Sequence, residues 1–322
     1  MARSVTLAAP AKLNLHLGIH PGRDDRGYHR ADSIMVAVAL ADRVAVTEFD
    51  RRSSEDAARR VAPGSTPGAA SGAASGPSSR VCLAMSEDVG VATRDNTAWI
   101  AAMRMCREFG VSRDYQIEIE KNIPPQSGLG GSSSDAASVI LALCSLWEVG
   151  ASDERVVSVA RSVGADVAFF LDPRPSYLVG AGDVLVESYP ELGDVPILLV
   201  RPRAGVPTAD AFGAFDERPA SPRDARAMRD ALSRGDLEAV CDGLYNNLGP
   251  AALRIVPEDA VVCEWLGRQE GVRGLCVTGS GSCVFAVCDT HERACDLAGH
   301  ALDTQGWWSC ATMTVGSGAQ FC

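Results

Sequence analysis

The sequence predicts an α+β protein of two domains. Three observations carry that expectation. The chain has 322 residues, 46% of them hydrophobic, which suffices for one large domain or two of ordinary size. Stretches with the alternating period of a half-buried strand are interleaved with longer runs of helical character. A proline-rich break, Asp172-Pro-Arg-Pro175, reads as a junction and sets the domains at residues 1–175 and 176–322.

Ser4 to Ile19 alternates strictly, with Val5, Leu7, Ala9, Ala11, Leu13, Leu15, Leu17 and Ile19 on one face. Lys12 and Asn14 then share the face turned away from the core, and Pro10 calls for a bulge or an edge position. Gly22 to His29 is turn-rich, and Met35–Leu40 and Arg43–Thr47 read as a further pair of strands. Ala62–Ser79 contains only Ala, Pro, Gly, Ser and Thr. It can bury too little to offset its ordering entropy, so a disordered and functionally inert insertion is expected. Thr97 to Phe109 is a helix capped from Asp95-Asn96. Gln116 to Lys121 alternates as a strand, and Ser134 to Val149 is apolar on nearly every face, as in a buried helix. Asp153–Ser162 forms another helix, followed by the apolar run Gly164–Leu171 with its single acid, Asp166. Beyond the junction come a buried strand (Val195–Val200) and a helix with Phe212 and Phe215 on one face (Thr208–Asp216). Leu275–Val287 reads as strand, glycine turn, strand.

A net charge of −11 argues against general nucleic-acid binding, which relies on excess base, but leaves room for a nucleotide in a local pocket. The eleven cysteines include no C-x-x-C pair. Cys144, Cys276, Cys283 and Cys288 lie in apolar runs and read as reduced core thiols of a cytoplasmic protein. No apolar run reaches the roughly 18 residues of a membrane span, and no signal-peptide pattern opens the chain. Both a monomer and a homodimer are compatible with the sequence.

The chemistry concentrates between the strand ending at Lys121 and the following helix. There the chain reads Pro124-Pro125-Gln126-Ser127-Gly128-Leu129-Gly130-Gly131-Ser132-Ser133-Ser134. Gly128, Gly130 and Gly131 allow positive φ and let the backbone approach a ligand with no Cβ in the way. The unpaired N–H groups of the helix start, with the positive end of its dipole, make an anion site. Neither the P-loop pattern nor the dinucleotide fingerprint fits, yet a phosphate is the expected occupant. Lysine usage adds a clue. Among 30 Lys and Arg, only Lys12 and Lys121 are lysines, and a compact ammonium is not interchangeable with a guanidinium where a phosphate is met as a point charge.

In order and spacing, Pro10-Ala-Lys12-Leu-Asn14-Leu, Pro124 to Ala137 and Thr278-Gly-Ser-Gly-Ser-Cys283 resemble the three motifs of the GHMP kinase superfamily. Arg26-Gly-Tyr28-His29, Gly164-Ala-Asp166-Val and Gly205-Val-Pro-Thr208, with Phe212 beyond, place the resemblance in a branch whose substrate carries a cytidine diphosphate. It implies a two-domain fold with the active site in the cleft, ATP as phosphoryl donor and an alcohol as acceptor. Asp166 would accept or orient the hydroxyl proton and Lys12 would neutralise charge on the transferring phosphoryl. Residues 124–134 would wrap the triphosphate with Lys121 as a secondary cation, and Mg²⁺ would take the hydroxyl of Ser133 or Ser134. Cytosine would stack between Tyr28 or His29 and Phe212, with Asn14 and Thr208 bonding the substrate. The chain departs from the family pattern at Gln126, Ser127, Ser132 and Ala168. Two rival readings remain at this point: a homoserine- or mevalonate-type kinase, and a non-catalytic ligand sensor on the same fold.

Overall fold

The computed structural model describes residues 2–49 and 79–316. The chain opens with two 21-residue strands, β1 (Arg3–Arg23) and β2 (His29–Phe49), joined by a tight turn. Then follow β3 (Val81–Met85), helix α1 (Thr97–Glu108), β4 (Asp114–Glu120), α2 (Gly131–Trp147) and α3 (Glu154–Val163). Two 3-10 turns at Ala165–Val167 and Phe169–Leu171 lead to the hairpin β5 (Ser176–Val179) and β6 (Val184–Ser188). The rest comprises β7 (Pro196–Arg201), α4 (Thr208–Glu217), α5 (Arg226–Arg234), α6 (Leu237–Asp242), β8 (Tyr245–Asn246), α7 (Gly249–Ile255) and α8 (Glu258–Gly267). It closes with β9 (Val272–Val277), β10 (Val284–Cys288), α9 (His291–Gln305) and β11 (Trp308–Met313).

Two sheets result. The first runs β3-β4-β2-β1-β8, with β5 pairing β2 and β6 pairing β5; the second runs β11-β7-β10-β9. Along β2 the side chains alternate in allegiance. Met35 and Ala37 join the core under α1–α3, while Ile34, Val36 and Val38 meet Ile197, Leu199 and Phe285 of the second sheet. The halves therefore share a core, and their seam positions the site.

The predicted boundary after residue 175 falls one hairpin early, because β5 pairs with β2 of the first sheet and Leu178 sits in its core. The two strands expected at 35–40 and 43–47 are one strand, since the chain bulges at residues 39–40 without turning back. The helix expected from Ser134 begins at Gly131. The expected insertion at 62–79 lies outside the described residues except for Ser79, which is buried and donates its hydroxyl to the Val111 carbonyl at 3.0 Å. All cysteines among the described residues are free.

One correction matters for the site. The pairing of β1 with β2 shifts register between Pro10 and Ala11, where a proline without an N–H is tolerated. Across that bulge the faces exchange. Leu7 and Ala9 belong to the helix-side core, whereas Ala11 and Leu13 belong to the inter-sheet core. Lys12 and Asn14, opposite Ala37 and Met35, consequently take over the helix side and are buried there rather than facing away from the core.

Candidate active site

The bulge aims Lys12 at the start of α2. Its backbone N–H donates to the Leu129 carbonyl at 2.9 Å. Its ammonium donates to Asn14 Oδ1 at 2.6 Å and lies 3.6 Å from Asp166 Oδ2. Asn14 is fixed in turn: Nδ2 donates to Ser33 Oγ at 3.0 Å, and Oδ1 also accepts the Gly279 N–H at 3.0 Å. Thr278 Oγ1 accepts the Asn14 backbone N–H at 3.2 Å. The Lys12 side chain is 4% exposed and that of Asp166 34%, so a buried cation faces a carboxylate that a ligand can reach. Two elements more than a hundred residues apart in sequence meet as the motif order implied.

The glycine loop packs directly over this pair. Gly128 and Gly130 adopt φ of 75° and 76°, and a Cβ on Gly130 would lie 2.9 Å from Lys12 Cγ. Gly131 is helical, not left-handed. A Cβ there would lie 3.0 Å from Ile123 Cγ2, so a side chain would require that methyl to give way by a few tenths of an ångström. Gly130 is also the N-cap of α2 and has no side chain to cap it, so no capping oxygen competes for the N–H groups of the first turn. Gln126 is left-handed at φ 53°, a conformation an L-residue adopts only at some cost. Ser127 turns its hydroxyl inward to the Pro124 carbonyl at 2.7 Å.

A cavity of about 540 Å³ runs along the seam, with Lys12 and Asp166 on its wall. Every predicted loop residue lines it except Leu129 and Ser134, whose side chains are fully buried. Leu129 serves through its carbonyl alone. Ser134 is thereby removed from the two serines proposed for the metal, and Ser133, half-buried on the wall, remains. Lys121 also lines the cavity, but it is not a free cation for phosphate. Its ammonium is held by Asp42 and, at 2.7 Å, by Asp135.

Two parts of the cavity differ. Met85, Val89 and Val91 line one part of it together with Asp95, Asn96 and Thr97. Tyr28, Phe212 and Thr208 line another, with Asn14. Tyr28 is 47% exposed. His29 already stacks on Phe212, with centroids 5.2 Å apart and planes 14° apart, so no base can enter between those two rings. That closes the His29–Phe212 option and leaves Tyr28 and the open face of Phe212. Both nitrogens of His29 face acceptors: Nδ1 donates to the His20 carbonyl at 3.1 Å, and Nε2 lies 3.1 Å from Asp216 Oδ1. Asp216 also accepts from Arg23 at 2.6 Å, which ties the 24–28 turn to α4.

The GHMP kinases N terminal domain pattern matches residues 96–172, and the GHMP kinases C terminal pattern matches 228–298. A Desulfitobacterium hafniense protein named 4-diphosphocytidyl-2-C-methyl-D-erythritol kinase is 36% identical over 91% of this chain and 90% of its own length. The chain belongs to the GHMP kinase family. A protein of the same name from Thermobifida fusca is 33% identical over 98% of this chain and 96% of its own. The crystal structure of 4-(cytidine 5'-diphospho)-2C-methyl-D-erythritol kinase superposes on this GHMP kinase with a TM-score of 0.69 at 29% identity, covering 98% of this chain and 100% of that one. Homoserine kinase from Cytophaga hutchinsonii gives a TM-score of 0.71 at 18% identity, covering 98% and 96%, a likeness of fold alone. This GHMP kinase is an ATP-dependent small-molecule kinase.

Sequence reasoning missed Met85, Val89 and Val91 on the cavity wall. They follow directly on the low-complexity stretch and carry no motif, and Asn96 was legible only as a helix cap. It is that cap, accepting the Ala98 N–H at 2.9 Å, and it also lines the cavity. Asp216 was missed because its partners Arg23 and His29 are distant in sequence. Among the described residues, no cluster of three or more His, Cys, Asp or Glu side chains is placed to hold a metal. No helix among them is long and apolar enough to cross a membrane.

Proposed function

We propose that the protein transfers the γ-phosphoryl group of ATP to the 2-hydroxyl of 4-diphosphocytidyl-2-C-methyl-D-erythritol, in the non-mevalonate route to isoprenoid precursors. The observation that carries this reading is one cavity lined at once by the Lys12–Asp166 pair, by the glycine loop and by Tyr28 and Phe212. The relatives' shared name agrees with that set of parts.

The loop N–H groups and the dipole of α2 hold the triphosphate. Asp166 takes the proton of the acceptor hydroxyl as its oxygen forms the new bond to the γ-phosphorus. The bond to the β–γ bridging oxygen breaks and ADP leaves. Lys12 meets the charge that spreads over the phosphoryl oxygens during transfer. A Mg²⁺ ion fits this donor set, because it is commonly carried by substrate phosphates and water with only one or two protein oxygens. Ser133, on the cavity wall, would supply one, and the bound ion would add further neutralisation of the phosphates. At the acceptor end, cytosine lies against Tyr28 and the free face of Phe212, with Asn14 and Thr208 bonding the remainder. The cytoplasm, with its ATP and reduced thiols, is the compartment we assign.

Two tests follow from this assignment. ADP release should be rapid with 4-diphosphocytidyl-2-C-methyl-D-erythritol and near background with homoserine or mevalonate; comparable turnover of either of those would sink the assignment. ATP binding with no phosphorylated product from any of them would favour the ligand-sensor reading. Replacing Tyr28 by Ala should raise the KM for the cytidine substrate by about 10–100-fold, as expected for losing one stacking face worth about 1–3 kcal/mol. The KM for ATP should stay within about twofold, since the contacts of Tyr28 are to Asp24 and Arg26 of its own turn.

A further inference from the structure

Lys121 was expected to face phosphate, yet its side chain is 6% exposed and its bonds lead elsewhere. The ammonium donates to Asp42 of β2 and, at 2.7 Å, to Asp135 one turn into α2. Asp42 also accepts the backbone N–H groups of Asn122 at 2.5 Å and Ile123 at 2.8 Å. Asn122 Nδ2 donates to the Ala41 carbonyl at 2.9 Å, and the Lys121 N–H donates to Ser86 Oγ at 2.9 Å. One ammonium thus joins the residues just before the phosphate loop to the residue just after it, and anchors both to a central strand.

We infer that Lys121, Asp42 and Asp135 form a clasp that shuts the two ends of the loop and sets its N–H groups in place before any nucleotide arrives. This rests on the loop being the phosphate site, but it concerns the ligand-free protein. A segment with glycines at positions 128, 130 and 131 has much backbone freedom to lose, so bonds at its flanks add to the order that the Lys12–Leu129 and Ser127–Pro124 bonds give it. A lysine suits the junction. Three donors on a compact centre can serve two carboxylates at once, and the packing around Gly131 leaves only 3.5 Å between a Cβ there and the ammonium. Burial alone would weaken the Lys121 charge, but the Asp135 and Asp42 carboxylates outweigh it and raise its proton affinity. An ammonium matched by two carboxylates projects little field towards a phosphate. Lys121 is therefore a positioning residue, and Lys12 carries the charge for transfer.

The test combines amide hydrogen exchange of residues 122–131 in the ligand-free protein with KM for ATP and kcat. Lys121→Met should speed exchange there by about tenfold or more and raise the KM for ATP with a smaller change in kcat, since opening this segment becomes easier. Lys121→Met/Asp135→Leu replaces the buried ions by apolar groups, an exchange proteins often tolerate, and should restore both protection and KM. Restored protection with a KM still raised about tenfold or more would mean that the ammonium meets the phosphates directly, which overturns the clasp. Should those variants not fold, Asp135→Asn decides. It keeps the shape and weakens one charged bond, so exchange about threefold faster supports the clasp, and unchanged exchange refutes it. Loss of every kinase activity in the wild-type protein would strike the proposed function and leave the exchange result standing.

Discussion

Asp166→Asn should lose about 10²–10⁴-fold in kcat, the usual contribution of a positioned general base, while ATP affinity stays within about threefold. In free energy that is about 3–5 kcal/mol of barrier at 1.36 kcal/mol per tenfold. Asparagine keeps the size and the capacity to hydrogen-bond but cannot take up the acceptor proton. The triphosphate is held by the loop and the start of α2, which Asp166 does not support, so nucleotide binding is spared. Asp166 is partly open to the cavity and, among the described residues, its ion-pair partner is Lys12 at 3.6 Å, so the substitution leaves no buried network broken and a folded variant is expected. Single-turnover rates and nucleotide titration on one preparation separate the two effects. Turnover within about fivefold of the parent would show that the hydroxyl reacts without this carboxylate, and would remove the base from the mechanism.

The parts of the site legible in the sequence are those whose chemistry is local. A glycine loop between a strand and a helix can be read from consecutive residues, because φ freedom and helix-end amides belong to the segment itself. Lys12 and Asp166 were legible only as members of an ordered set, and the structure brings them together. What the sequence concealed depends on partners far away. Pro10 marked the bulge that the register shift shows, but the alternation through Ser4–Ile19 did not show that the faces exchange there, because a two-residue period reads the same before and after a bulge. Lys121 looked like a phosphate cation because Asp42 lies 79 positions earlier, beyond any local pattern. The hairpin at 176–188 looked like the start of a second domain because the proline break precedes it, whereas hydrogen bonding to β2 decides its allegiance. His29 and Phe212 each looked free to meet a base; only their mutual contact shows otherwise.

Lys12→Arg should be as damaging as a loss of the charge, with kcat reduced by about 10²–10³-fold, the range seen when one preorganised donor to a developing anion is removed. The reason is space and shape. The ammonium occupies a slot between Gly130 and Gly279, where a Cβ on the first would lie 2.9 Å from Lys12 Cγ and on the second 3.2 Å from Nζ. Both glycines keep positive φ, at 76° and 55°, so the slot cannot widen by a simple side-chain shift. A guanidinium is broader and planar and spreads its donors in a fork. It would have to displace Asn14, whose Oδ1 accepts from both Lys12 and Gly279, or swing towards Asp166 and block the acceptor. Lys12→Met is the control for packing, because it keeps a flexible chain of similar length in the same slot. If the loss comes from misplaced charge, Arg and Met should fall together in kcat while melting temperatures stay close to the parent. If Arg instead retains full turnover, the ammonium is serving as a generic positive charge, and the near-exclusive use of arginine elsewhere in the chain would say nothing about Lys12.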